Sequence, residues 1–327
     1  MSRESGVLVL AEHTAGALSG TSAEILGAAR RLADSLGQQV TAVAFGTGAG
    51  AAATAAIEAG ADFGLVAADE VLDQYRNETW TAALASAAKA ANPAIVLLGQ
   101  TVTGRDLAPR VAVRLGSSVA MDCIGLEIQD GRLLMTRPCF GGSAHAQYTS
   151  RTMPQVATVR AKSQQLLPPD ASRSGEVREL AFEVGEIVTR IVSRDEQKAG
   201  GLRLEDAKVV VSGGRGLGSA EGFEDLSRLA EVLGGAVGAS RAVVDLGWAP
   251  LSYQVGLTGK VVTPDLYIAV GISGASQHLA GIGGAKTVVA INRDKDADIF
   301  KVARYGVVAD WKPFLPAFIE ACRQLKE

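Results

Sequence analysis

The chain has 327 residues, 47% of them hydrophobic and 20% charged, with 32 Lys and Arg against 35 Asp and Glu for a net charge of −3. That length is too great for one average core and suits two domains, and the balanced charge argues against nucleic acid or an anionic membrane surface as the main partner. No apolar run approaches the roughly 18 residues a membrane-spanning helix requires. Three histidines are present, His13, His145 and His278, so a three-histidine metal site would consume them all. The three cysteines, Cys123, Cys139 and Cys322, are far apart and lack CxxC spacing, and they read as reduced packing thiols. The stretch from Met1 to Val9 has neither a secretory apolar core nor transit-peptide character, so the expected location is the cytoplasm.

The first half alternates strand and helix patterns. Val7 to Leu10 is a short apolar run. Ile25, Leu26, Ala29, Leu32, Ala33 and Leu36 share one helical face, and Val40 to Phe45 reads as a strand. The small-residue stretch 47–61 reads as a helix, as does 79–91, which Asn92-Pro93 stops. Ala94 to Leu98 is a continuous apolar strand, of the kind buried on both faces of a parallel sheet, and a helix is expected over 105–115. Beyond Leu126 the rhythm changes. Gly125 to Met135 and Pro154 to Arg160 read as strands with no helix between them, 162–175 as a loop, and the alternation of Val177 to Val192 as further strands. The charged, Gly-ended run Arg194 to Gly201 reads as an interdomain linker and hinge, dividing a domain over 1–196 from one over 197–327.

The last third is a second α/β unit. Strands are expected at Lys208 to Val211, Leu266 to Val270 and Thr287 to Ile291, with one helix carrying Phe223, Leu226, Leu229, Ala230 and Leu233 and another over 313–326. Four glycine-containing turns fall near the ends of its strands: 213–218, 238–241, 255–260 and 271–276. In open parallel sheets ligands bind beyond the carboxyl ends of strands, where glycine lets backbone N–H groups approach a phosphate. The turn 213–218 matches neither a Walker A loop nor, cleanly, G-x-G-x-x-G; taken alone it is a tight βα turn. No G-x-S-x-G elbow, H-E-x-x-H helix or paired-carboxylate motif is found.

The segment from Gly238 to Ala303, with Val211 to Gly216 before it and Tyr305 to Asp310 after it, resembles the signature region of electron transfer flavoprotein alpha subunits. Thr103 to Arg110 and Arg137 to Gly142 resemble the same family more loosely. The resemblance implies two α/β domains: an N-terminal nucleotide-binding-like one that contacts a beta subunit, and a C-terminal doubly wound parallel-sheet domain that binds FAD. It implies an electron carrier rather than a conventional enzyme. The carrier would pair with a beta subunit holding AMP or a second FAD. It would take electrons from acyl-CoA dehydrogenases or similar flavoenzymes, as in fatty acid β-oxidation, and pass them to a quinone oxidoreductase or a ferredoxin-type acceptor.

Carried over by position, Arg215, Ser240, Ser273, Gly274, Ala275, Ser276 and Asn292 would hold the pyrophosphate, ribose or adenine end. Asp310 and Trp311 would lie near the adenine. Gln254, Val255, Gly256, Leu257 and Thr258 would line the isoalloxazine, with the Thr258 hydroxyl at N5. Arg241 would lie over the ring, and Gln277 and His278 would follow the last glycine turn, His278 pointing at the C2 carbonyl. A cation and an N–H donor near that edge favour the reduced ring. Taken singly these residues have plainer readings: Arg241 as a surface ion-pair residue, His278 as a satisfied structural histidine, Ser240 and Ser273 as helix N-caps and Thr258 as a turn residue. His278, on a turn, is expected not to fill the core, so Ala there should leave the fold intact. Leu257 stands where the family commonly has Gln, and Trp311 where it usually has a smaller aliphatic. Two other readings stay open within the redox class, an electron-bifurcating alpha subunit using NADH and an NAD-dependent dehydrogenase. A nucleotide-binding regulatory module is a third. His13 and His145 fit no pattern and default to loop or interface histidines.

Overall fold

A computed structural model describes residues 5–142, 144–193 and 202–325. The chain divides into two compact units, residues 1–139 with 143–192, and residues 140–142 with 193–327. The expected linker, Arg194 to Gly201, lies outside the described residues.

In the first unit the strand–helix alternation builds a parallel sheet. Strand β1 (Val7–Leu10) leads through a two-strand hairpin, β2 (His13–Thr14) and β3 (Ala17–Leu18), into helix α1 (Gly20–Leu36). Then come β4 (Val40–Phe45), α2 (Ala49–Glu58), β5 (Phe63–Ala67), α3 (Asn77–Ala91), β6 (Ile95–Gly99) and α4 (Val102–Arg114). Strand β7 (Val119–Cys123) precedes an antiparallel meander of β8 (Gly125–Gln129), β9 (Arg132–Cys139) and β10 (Ala144–Tyr148). The chain then returns as β11 (Gln155–Val159) and, after a long loop, β12 (Glu176–Glu179). The main sheet has seven parallel strands in the order β12-β5-β4-β1-β6-β11-β7.

Strand β1 shows why apolar runs without polar alternation belong here. Val7 and Val9 face a core shared with α1 and α2, while Leu8 and Leu10 face a core shared with α3 and α4. Both faces are covered, so every position is apolar. The alternation read over Val177 to Val192 yields a strand only at Glu176–Glu179. Past it, Leu180 and Phe182 pack against the α3–α4 core, but Val188, Ile191 and Val192 are exposed. An alternating pattern makes a strand only where a free sheet edge accepts its backbone.

The second unit runs β13 (Val209–Gly213), α5 (Gly222–Leu233), β14 (Ala236–Ala239), α6 (Arg241–Asp245), β15 (Leu266–Val270), α7 (Ser276–Leu279), β16 (Thr287–Asn292), β17 (Tyr305–Val308) and α8 (Trp311–Gln324). Its five strands are all parallel, in the order β14-β13-β15-β16-β17. Helices α5 and α8 cover one face over Val211, Ile268 and Val270. Val255, Val262, Ile272 and Ile282 cover the other, over Val210 and Tyr267. Among the described residues no helix is long and apolar enough to cross a membrane.

In both sheets the strand order reverses beside the first strand, between β1 and β6 and between β13 and β15. At the first switch point stands Glu12, just past β1. Thr101, the N-cap of α4, places its hydroxyl 2.8 and 3.0 Å from the two carboxyl oxygens and also accepts from Gly104 N. Burial raises the Glu12 pKa to about 7, the Thr101 hydrogen bond acting the other way. A carboxyl with a raised folded-state pKa costs nothing while it is protonated in both states, and destabilises as pH rises from the unfolded value through the folded one. Urea denaturation should therefore show wild type losing on the order of 2 kcal/mol more than Glu12→Gln between about pH 4.5 and pH 8, the side chain's partial exposure holding the effect below the full shift. Parallel pH profiles for the two proteins would contradict the assignment.

Candidate functional site

The second sheet's order is the flavodoxin-like one, in which the connections leaving the first and third strands run to opposite faces of the sheet and leave a crevice beyond the strands' carboxyl ends. Here those strands are β13 and β15. Their loops meet backbone to backbone. Gly214 N donates to Val270 O at 2.9 Å, and Gly216 N to Gly271 O at 2.9 Å. A Cβ on Gly214 would stand 2.3 Å from Gly271 O and 2.7 Å from Ile272 Cα, so the approach requires glycine.

A cavity of about 680 Å³ opens at this crevice. Its walls come from the ends of β13 (Arg215, Gly216), β14 (Ser240, Arg241) and β15 (Gly271 to Ser273, Ala275, Gln277, His278), from the turn Val255 to Thr258, and from Asn292, the last residue of β16. A smaller hollow of about 180 Å³ shares Arg215, Gly216, Gly271, Asn292 and Arg293 and continues to Asp310 and Trp311. A main chamber with an annex suits an extended, two-ended ligand.

Most of the residues singled out by sequence therefore converge on one crevice. Three do not line it. Gln254 is buried behind the turn, where its Nε2 donates to Thr258 Oγ1 at 3.2 Å. Gly274, with φ of 86°, packs so closely on Ile299 that a Cβ would stand 2.2 Å from its amide nitrogen. Ser276 bonds the neighbouring Gln277 side chain. Asn292 ties loops together: its amide donates to Ile272 O and its carbonyl oxygen accepts from Asp294 N. Asp310 caps α8 by accepting from Lys312 N. Ser240 occupies the N-cap position of α6 without making a capping bond. Sequence reasoning passed over Asp245, Arg293, Asp294 and Ala297, all of which line the main cavity. Gly216 and Gly271, also in its walls, were read only as parts of turns.

Arg241 is largely exposed and pairs with Asp245 one turn along, Nε to Oδ2 at 3.3 Å. Its charge is thus available at the cavity mouth and partly balanced. His278 is buried at 6% exposure. Its Nε2 lies 2.9 Å from the Tyr267 hydroxyl, while its Nδ1 has no hydrogen-bond partner among the described residues. Burial holds the imidazole pKa down to about 4, with the Val255 backbone opposing, so it is neutral at physiological pH. The expectation that His278 fills no core space is corrected here. It is a packed, hydrogen-bonded residue, and Ala there would strand a buried tyrosine hydroxyl at a cost of roughly 1–3 kcal/mol. His13 proves structural: its Nε2 lies 2.9 Å from Phe45 O, and Gly16 N bonds its Nδ1 at 3.3 Å.

The arrangement fits a flavin dinucleotide. It combines an elongated cavity, glycine backbone at the switch point, three arginines in the walls, and a buried ring nitrogen whose hydrogen-bonding capacity is unused.

Known proteins point the same way. Residues 7–184 match the family described as the electron transfer flavoprotein domain, and residues 203–283 the one described as the electron transfer flavoprotein FAD-binding domain. A protein of Thermoanaerobacterium thermosaccharolyticum named electron transfer flavoprotein subunit alpha is 44% identical over 324 residues, covering 98% of each chain. Protein FixB of Clostridium saccharobutylicum is 42% identical, covering 98% of this chain and 97% of its own. The Bacillus subtilis electron transfer flavoprotein subunit alpha is 40% identical, covering 98% of each.

The backbone contact at the switch point is testable. Gly214→Ala should destabilise the second unit by about 1–3 kcal/mol and lower the fraction of purified protein that retains flavin. Gly234→Ala, at a left-handed helix end (φ 66°) with open space around it, should cost only about 1–2 kcal/mol and leave flavin content unchanged. Equal flavin retention in the two variants, read by absorbance, would show that the Gly214 approach does not shape the site.

Proposed function

This chain belongs to the electron transfer flavoprotein alpha-subunit family, whose second domain binds FAD, and from that premise we propose that it is the FAD-holding half of a heterodimeric electron carrier. In this reading electrons reach it from an acyl-CoA dehydrogenase or a similar flavoenzyme and leave to a quinone oxidoreductase or a ferredoxin-type acceptor, in the cytoplasm. The domain boundary near 196 and the residue roles below belong to the same proposal. The supporting observation is the cavity at the β13–β15 switch point, with glycine backbone at one end and His278, Thr258 and Arg241 in its walls.

Bound FAD would supply reversible one- and two-electron chemistry. The chain's own residues have separable tasks. Arg215 and Asn292, present in both the chamber and its annex, hold the phosphate and ribose region, with Ser240 and Ser273 as hydroxyl donors. Asp310 and Trp311 close the annex at the adenine end. Val255 to Thr258 line the ring end, and Gln254 from behind orients the Thr258 hydroxyl. Gly274, Ala275, Ser276 and Gln277 carry the loop that brings His278 to the wall. Buried and neutral, His278 offers a hydrogen bond without a competing charge. Arg241 adds a cation that cannot deprotonate.

Because Arg241 is exposed, its removal should not disturb the fold. Arg241→Ala should lower the one-electron reduction potential of the bound flavin by on the order of 40 mV, the strength of a unit charge a few ångströms away in a water-like dielectric. FAD should stay bound in the complex with the beta subunit. Spectroelectrochemical titration checks this. An unchanged potential together with loss of FAD would make Arg241 a binding residue and remove it from redox tuning.

A further inference from the structure

Tyr267 is the second residue of β15 and is fully buried, on the sheet face that also carries Val210 and is covered by Val255 and Ile272. A phenol hydroxyl in an apolar core costs free energy unless it is hydrogen-bonded. Its hydrogen-bond partner is His278, with Oη 2.9 Å from Nε2. Ser212, on the adjacent strand β13, stands beside the same phenol and lowers its pKa, as a hydroxyl donating to the phenol oxygen does. With Ser212 on the donor side of the phenol oxygen, the Tyr267 proton is left for Nε2.

We propose that Tyr267 is a positioning residue: by donating its hydroxyl proton to His278 Nε2 it locks the imidazole as the Nδ1–H tautomer, and so makes His278 a hydrogen-bond donor, not an acceptor, at the flavin cavity. In a neutral imidazole, the nitrogen that accepts a hydrogen bond leaves the proton on the other. Burial works in the same sense on both partners, raising the Tyr267 pKa and lowering that of His278. Across the neutral range the pair is a phenol and a neutral imidazole, with no proton passed between them.

The consequence is directional. A ring edge that gains negative charge on reduction is favoured by a donor and opposed by a lone pair. The tautomer, and not merely the presence of the imidazole, would then set the sign of the contribution of His278. This inference rests on the reading that His278 serves the flavin.

The test uses the alpha subunit labelled with 15N at histidine, in its complex with the beta subunit and FAD. With three histidines in the chain, and His278→Ala to assign the signal, long-range proton–nitrogen correlation spectra read which ring nitrogen carries the proton. Wild type should show Nδ1 protonated and Nε2 unprotonated throughout the neutral range. Tyr267→Phe should release the lock, so that the Nε2–H form appears. It should also lower the equilibrium constant for one-electron reduction by about tenfold, which is about 59 mV. In a His278→Ala background the same substitution should shift the potential no further. An Nε2–H tautomer in wild type would overturn the proposal. So would a Tyr267→Phe protein that keeps both the Nδ1–H tautomer and the wild-type potential. A tautomer change with no change in potential would leave the lock standing and sink the reading that His278 serves the flavin.

Discussion

The second unit depends on two loops that meet with no side chain between them. Gly214 and Gly216, after β13, donate to the backbone of Val270 and Gly271, after β15. That contact joins the loops that leave two adjacent, hydrogen-bonded strands. It sets the floor of the cavity and leaves the neighbouring turns to form its walls. A Cβ at Gly214 would overlap Gly271 O, so the floor exists only while the position is glycine. Other close contacts complete the walls: Gly256 against Gln277 and Gly281, Asn292 seated against Ile272, and His278 buried beside Tyr267.

Electrostatics in the crevice is mixed rather than uniformly positive. Arg215, Arg241 and Arg293 line it, but so do Asp245 and Asp294, and Arg241 is paired with Asp245. The wall made of Val255, Leu257, Thr258 and the neutral His278, which we propose meets the flavin ring, is less charged. A buried neutral donor tunes a redox group without adding a charge that solvent or salt would screen.

Much of this was legible in the sequence, for reasons that can be named. Val7–Leu10 and Leu266–Val270 are apolar at every position because both sheet faces are covered, and that pattern marks parallel strands. The four glycine turns announced backbone close approach, and three of them fall at the ends of β13, β14 and β15. What stayed hidden depends on partners that no local pattern declares. Tyr267 looks like any strand aromatic until His278, eleven residues on, folds back to it. The carboxyl of Glu12 meets Thr101 across 89 residues of sequence. Asp245 and Arg293 look like surface charges and become lining residues only through the turns that carry them. The apolar residues Val188, Ile191 and Val192 lie in a stretch read as strands but are exposed and join no sheet.

The central claim is that the cofactor occupies the β13–β15 crevice of the second unit. Hydrogen–deuterium exchange of the heterodimer with and without FAD tests it most directly, because slowed exchange maps the backbone a ligand covers or orders. The account predicts that FAD slows exchange in peptides spanning 213–218, 239–245, 254–260 and 271–279, and leaves the sheet of the first unit unchanged. Protection centred on the first unit, with these four segments unaffected, would contradict it.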